Sequence, residues 1–270
     1  MRLNYRKLGE GKPLFILHGL LGLSDNWAAV GKMLSGNFEV YLIDLRNHGS
    51  SPHSEDWTYE SMAADVFELA EEISKVKSEQ PTISLMGHSL GGKVAMQFAS
   101  MYPEMLGKLI VADMAPKDYP GNQFGFIEKL LKINLAAMKT RKEAEAELKK
   151  IITDNATIQL LIKNIQWTTL PQPLSSGKGG NRQILEWKFN LKVIAENQNK
   201  IGKTFSVKNK IYIPALFIRG EKSNYILDSD IPEIKRIFPN SEVKTIEAAG
   251  HWVHADRPGE FTEMIKDFAK

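Results

Sequence analysis

The 270-residue chain has no cysteine. That one absence excludes disulfides, thiolate nucleophiles and cysteine-ligated metals. Long apolar runs are missing too. Near the start only Leu14 to Leu17 are continuously apolar, short of the ~7–15 residues of a secretory signal. Nowhere do the roughly 18 apolar residues of a membrane span follow one another. The expectation is a soluble, cytoplasmic protein with no membrane span. A strong charge of either sign is also lacking: 35 Lys and Arg face 32 Asp and Glu, a net charge of +3. The densest run, "RKEAEAELKK" from Arg141, mixes signs as a solvated helix face does. Without a basic stripe there is no electrostatic footprint for nucleic acid, and no nucleic-acid partner is expected.

What is present is ordinary for a globular protein, with 43% apolar and 25% charged residues. The length suits one sizeable domain or a core with an insertion. Short apolar runs recur between turn residues: "PLFILHG" from Pro13, "FEVYLID" from Phe38, "TISLMGHS" from Thr82, "KLIVAD" from Lys108, "PALFIRG" from Pro214 and "VKTIEA" from Val243. Apolar residues without alternation fit strands covered on both faces, as in parallel sheets.

Helix patterns separate these strands. In "TYESMAADVFELAEEISKVKS", Met62, Val66, Leu69 and Ile73 fall at three- and four-residue spacing, behind Thr58 and Ser61 as capping residues. The chain closes on "PGEFTEMIKDFAK", with Pro258 in a first-turn position. Alternating strands and helices predict an α/β fold, a doubly wound, mostly parallel sheet with helices on both faces. From 117 to 207 no strand signal interrupts helical pieces such as "FGFIEKLLKINLAAM" and "QILEWKFNLKVIAEN". The expected organisation is a core of residues 1–116 and 208–270 with residues 117–207 inserted as a helical cap. Such a cap would lie over the carboxyl ends of the strands, where open α/β sheets bind ligands.

The third strand runs into "GHSLGGKVAM", a Gly-x-Ser-x-Gly turn centred on Ser89 that leads directly into a helix. That context makes a nucleophile elbow, where a sharp turn needs small residues two before and two after the serine. A serine hydroxyl needs a general base. Of six histidines, His251 stands where the base is expected, after the last strand in "AAGHWVHADRP". His254, three residues on, is the rival and reads as structural, and His88 points away from its neighbour. A carboxylate must then orient the imidazole. The usual place after the penultimate strand reads Ser223-Asn224, which carries no charge. Asp113, at the tip of the preceding strand, is the preferred acid, with Asp228 as the alternative. The oxyanion would bind the backbone amides of Leu90, after the nucleophile, and of Leu20, in "HGLLG" after the first core strand. His18 beside that loop reads equally as a site or packing residue. Asp44 and Arg46 read as a structural ion pair and turn. Trp167, Trp187 and Phe124 line a pocket or form the core of the cap.

Together "HGLLG", "DLRNHGSSPHS", "GHSLGGKVAM", "VADMAPKDY" and "GHWVHADRP" resemble the α/β-hydrolase superfamily, and most closely its YbfF-like esterases. The resemblance implies the α/β-hydrolase fold. It carries the family's nucleophile onto Ser89, its acid onto Asp113 and its base onto His251, so that the missing acid in "GEKSNYI" is a family trait. It implies hydrolysis of short- to medium-chain carboxylic esters, and of acyl thioesters in some members, through an acyl-enzyme. No metal or organic cofactor is expected, and the partner is a small-molecule ester or thioester. Alternatives are a carbon–carbon bond hydrolase or a cofactor-free perhydrolase of the same fold, or a non-catalytic ligand-binding receptor. The sequence is silent on oligomeric state.

Overall fold

The structure is a computed structural model that describes residues 1–77, 82–120, 125–171, 181–204 and 209–270. Nine strands are present among the described residues: β1 (Tyr5–Leu8), β2 (Lys12–Leu17), β3 (Phe38–Ile43), β4 (Ile83–His88), β5 (Leu106–Ala112), β6 (Ile165–Pro171), β7 (Asn181–Trp187), β8 (Ala215–Gly220) and β9 (Ser241–Ile246). Seven form one sheet in the order β1-β3-β2-β4-β5-β8-β9. Edge strand β1 runs antiparallel to β3, and the other neighbours are parallel. The six predicted strands all belong to this sheet. Edge strand β1, "YRKL", is short, mostly exposed and polar, so it left no apolar signal.

Both faces of the sheet are covered. On β2, Leu14 and Ile16 pack on one face and Phe15 and Leu17 on the other, all fully buried. This is why the run is apolar without alternation. The first face is covered by α1 (Ala28–Leu34) through Val30 and Leu34, and by the C-terminal helix through Phe261, Ile265 and Ala269. The second is covered by α2 (Tyr59–Lys77) and α3 (Leu90–Met101). Met62, Val66, Leu69 and Ile73 of α2 are buried as their spacing predicts. At about 1.5–3 kcal/mol for each fully buried large aliphatic or aromatic side chain, these two layers dominate stability.

Between β5 and β8 the chain leaves the sheet. The described part of this excursion contains α4 (Phe126–Leu130), α5 (Arg141–Lys149), α6 (Asn155–Lys163), the β6–β7 pair, α7 (Leu191–Glu196) and α8 (Gln198–Ile201). Thr140 and Asp154 cap α5 and α6 by accepting from the third helical amide. The β6–β7 hairpin corrects the expectation of a strand-free segment. Ile165 pairs with Trp187 and Trp167 with Leu185, and Glu186 accepts from both Gln166 and Thr168 across the strands. Aromatic and β-branched residues in "IQWTTL" favour a pleated surface, while "QILEW" read as the start of a helix that begins only at Leu191.

Beyond β8 the chain forms α9 (Ile231–Ile237), and after β9 it forms α10 (Val253–Asp256) and α11 (Pro258–Ala269), the last with Pro258 in its first turn as expected. Among the described residues no helix is long and apolar enough to cross a membrane.

Candidate active site

The carboxyl ends of β4, β5, β8 and β9 carry the residues that the sequence singled out. Ser89 lies between β4 and α3 at φ 53°, ψ −117°, a backbone conformation that an L-residue adopts only under constraint. The turn tolerates nothing larger than glycine around it. A Cβ on Gly87 would come within 2.0 Å of the Gly91 carbonyl, and one on Gly91 within 2.5 Å of the Leu17 carbonyl. Ser89 N–H donates to the Ala112 carbonyl on β5 at 3.2 Å, fixing the elbow against its neighbour.

Asp113 follows β5 directly, with φ 48° and no solvent exposure. Its backbone N–H donates to the Ile218 carbonyl at 2.7 Å. Its Oδ2 accepts from His251 Nδ1–H at 2.7 Å and also from Ser223 Oγ, while Oδ1 accepts from Gly220 N–H at 3.3 Å. The bond to Asp113 places the His251 proton on Nδ1 and leaves Nε2 as an acceptor. Ser89 and His251 line one cavity of about 520 Å³ between the sheet and the insertion. Leu20 lines it too, and Leu90 opens α3, where the first amides have no partner within the helix.

The alternative acid does not approach this histidine. Asp228 is exposed and pairs with Arg219 at 2.7 Å. His254 is buried and stacks on Trp27 at 4.0 Å, with burial and nearby His251 lowering it to about 3. His88 is also buried, which holds it well below the ordinary histidine range, and its Nε2–H donates to the His251 carbonyl at 2.9 Å. It thus steadies the loop that carries His251.

The loop after β2 is tied down from three sides. His18 donates from Nδ1 to the Gly19 carbonyl at 2.8 Å and accepts the Leu45 amide at Nε2 at 3.0 Å. His48 Nε2 accepts the Leu21 amide at 3.1 Å, and Asn164, from the insertion, donates to the Leu21 carbonyl at 2.9 Å. Burial lowers both histidines, His48 to about 3, so each stays neutral and keeps an accepting nitrogen. His18 is therefore a packing residue of this loop. Gly19 is needed because a Cβ there would press on Ser89 Cβ at 3.3 Å and His88 Nδ1 at 3.1 Å.

Arg46 and Asp44 each build structure beside this loop. Arg46 pairs with Asp65 at 2.6 Å, and Asp44 instead accepts the amides of Ser24 and Ser50 at 2.6 and 2.9 Å. Burial raises the Asp44 carboxyl, but these amides and the Asn4 side chain outweigh it and hold the group low. Of the aromatic residues expected in the insertion, Trp167 is exposed on β6 and Trp187 stacks on Phe189 at 4.9 Å. Phe124 lies outside the described residues. Phe126 and Leu160 line the cavity from the insertion instead. Two site residues escaped the sequence reading. They are Ser223, set aside for lacking charge, and Tyr225, whose ring stacks on His251 at 3.8 Å. No group of three metal-ligating side chains occurs among the described residues.

The family profile described as "alpha/beta hydrolase fold" matches residues 12–258. The chain belongs to the α/β-hydrolase family. It is 33% identical over 265 residues to the sn-1-specific diacylglycerol lipase ABHD11 of Mus musculus, covering 94% of this chain and 80% of that one. Esterase YbfF of Escherichia coli (strain K12) is 28% identical over 262 residues, covering 96% and 93%. Among solved structures, a marine microorganism esterase superimposes with a TM-score of 0.87 at 40% identity, covering 99% of each chain. The chain is a hydrolase of the esterase/lipase type.

Proposed function

We propose that the protein is a serine carboxylesterase acting on short- to medium-chain acyl esters. The observation that carries this reading is the bond between His251 Nδ1 and buried Asp113, at the wall of the cavity that Ser89 also lines. In the proposed cycle, Ser89 Oγ forms a bond to the acyl carbon while its proton passes to His251 Nε2. Asp113 holds the tautomer and offsets the charge of the imidazolium. The amides of Leu20 and Leu90 receive the oxyanion, a pair of donors of which each is worth roughly 2.7–4 kcal/mol in related chemistry. His251 then gives its proton to the departing alkoxide, and water repeats the sequence in reverse to release the acid.

Residues 117–207 serve in this reading as a cap. Its α4 and α6 supply Phe126 and Leu160 to the cavity, an apolar roof of a size suited to an acyl chain rather than to a polymer. Asp154 of the cap and Asp256 of the core line the same space. Burial raises the Asp154 carboxyl, but bonds from Thr157, the Ala156 amide and the Trp252 indole outweigh it and hold the group below the ordinary aspartate value, so it stays ionised. Both carboxylates favour uncharged acyl groups over anionic ones.

The test is hydrolysis of aryl esters with acyl chains from two to sixteen carbons, alongside acyl-CoA thioesters, by wild type and Ser89→Ala. Turnover peaking at one chain length, and falling at least ~10⁴-fold without the serine, is the expected result. Silence of the wild type across the panel overturns the reading in favour of carbon–carbon bond cleavage or binding without turnover.

A further inference from the structure

We propose that Tyr225 is a positioning residue for His251, its ring face stabilising the imidazolium that forms during proton transfer. The proposal rests on the reading of His251 as general base. The two rings lie 3.8 Å apart between centroids and 16° from parallel, a face-to-face stack. Between neutral rings that arrangement is less favourable than an offset or edge contact. It becomes favourable when one ring is a cation, because the face of the phenol ring carries negative charge density. In the proposed cycle His251 becomes a cation on taking the Ser89 proton, so the contact strengthens as the reaction proceeds, which is the property that raises a rate.

Tyr225 does not reach this place by chance packing of a loop. Its carbonyl accepts from the Tyr119 hydroxyl at 2.7 Å, and that hydroxyl accepts the Ala115 amide, also at 2.7 Å. Its amide donates to Ser223 Oγ at 3.2 Å, the hydroxyl that bonds Asp113. The rings of Tyr119 and Tyr225 lie 5.2 Å apart. Behind Tyr119 stands Lys93, buried, with Nζ 4.9 Å from the ring centroid. Lys93 donates to the carbonyls of Lys117 at 3.1 Å and of Gly202 and Lys203 at 2.7 and 2.5 Å, which close the neck of the insertion. A continuous strut therefore runs from that neck to the histidine. It aims the Tyr225 ring at the imidazole, and the hydroxyl of Tyr225 itself is not part of it.

The other groups facing His251 are fixed in kind. Asp113 lies at Nδ1, the neutral ring of His88 stands 4.7 Å away, and neutral His254 lies behind His88. Asp154 and Asp256 stand at the cavity wall. None is altered by substitution at Tyr225.

The experiment measures kcat and KM from about pH 5 to 9 on an aryl ester for wild type, Tyr225→Phe, Tyr225→Leu and Tyr225→Met. His251→Gln runs in parallel. Tyr225→Phe keeps the ring face and is expected to stay within about twofold of wild type. Tyr225→Leu is expected to lose about tenfold in kcat with KM little changed, the range of a desolvated cation–π contact. Its acidic limb of kcat/KM is expected to move to lower pH, because a less stabilised imidazolium releases its proton sooner. Tyr225→Met, flexible and without a ring face, repeats the reading if the leucine variant misfolds. An unmoved acidic limb, or equal losses in the Phe and Leu variants, overturns the proposal. Full activity in His251→Gln, or no turnover by wild type, overturns the underlying reading instead.

Discussion

Ser223 Oγ and His251 Nδ1 donate to the same oxygen of Asp113, Oδ2. The position after β8 where the sequence lacks a carboxylate thus supplies a hydroxyl donor to Asp113, a carboxylate standing one strand away. Asp113→Asn is expected to lower kcat by roughly 10⁴, the cost of presenting the wrong tautomer, while Asp228→Asn leaves it within about twofold. Steady-state kinetics on an aryl ester decide between them. Adding Ser223→Asp to Asp113→Asn should restore part of the lost rate, since the new carboxylate would start within hydrogen-bond reach of the same site. The reverse pattern, a large loss at Asp228 and little at Asp113, would remove Asp113 from the mechanism.

Asp154 and Asp256 should make the cavity sensitive to the charge of the acyl group. The aryl ester of pentanoate is expected to exceed the monoaryl ester of glutarate by about tenfold in kcat/KM at low ionic strength, and by less as salt screens the carboxylates. In Asp154→Asn with Asp256→Asn the ratio should fall toward one. Asparagine remains a good helix cap, and the ratio cancels any general loss in the variant. A ratio that ignores both salt and substitution would show that the carboxylates play no part in selection.

Lys93 gives a pH dependence of stability. Burial is the main cause that lowers it, to about 7 from the ordinary lysine value of 10.5. The folded chain therefore binds fewer protons than the unfolded chain between those values, so stability rises with pH from about 7 to about 10.5. Lys93→Met removes that slope. Thermal melts of both proteins at pH 7 and pH 9.5 should show wild type gaining on the variant at the higher pH. A difference that shrinks as pH rises would reverse the assignment.

Gly91→Ala should disable the elbow. Its Cβ would approach the carbonyls of Leu17 and His18 at 2.5 and 2.6 Å, backbone atoms that cannot swing aside. Overpacking of this kind costs about 1–3 kcal/mol. Activity should fall further than stability, since the displaced strand end carries the loop that precedes Leu20. Urea unfolding and kinetics on the same sample separate the two effects.

Much of this architecture was legible in the chain itself. Leu14 to Leu17 announced a doubly covered strand because both sheet faces select apolar residues at every position. Gly87 and Gly91 announced the elbow because the local geometry forbids a Cβ at either one. The β6–β7 hairpin was hidden because polar residues such as Gln166 and Glu186, which pair across the strands, alternate with residues that also suit a helix. Tyr225 was invisible for a different reason. A stack on His251 depends on two loops from separate strands meeting above the sheet, and no local spacing encodes that meeting. Ser223 was read by its charge alone, and its role as a donor needed the position of Asp113.

The bond from Asn164 to the Leu21 carbonyl makes one residue of the roof a fastener of the floor. Under the proposed esterase function, this divides the insertion into two kinds of position for anyone redesigning acyl preference. Phe126 and Leu160 face the cavity and can be varied in size to lengthen or shorten the space for the chain. Asn164 should be kept wild type in every library, because a variant there is expected to loosen the loop after β2 and so shift turnover of all substrates together.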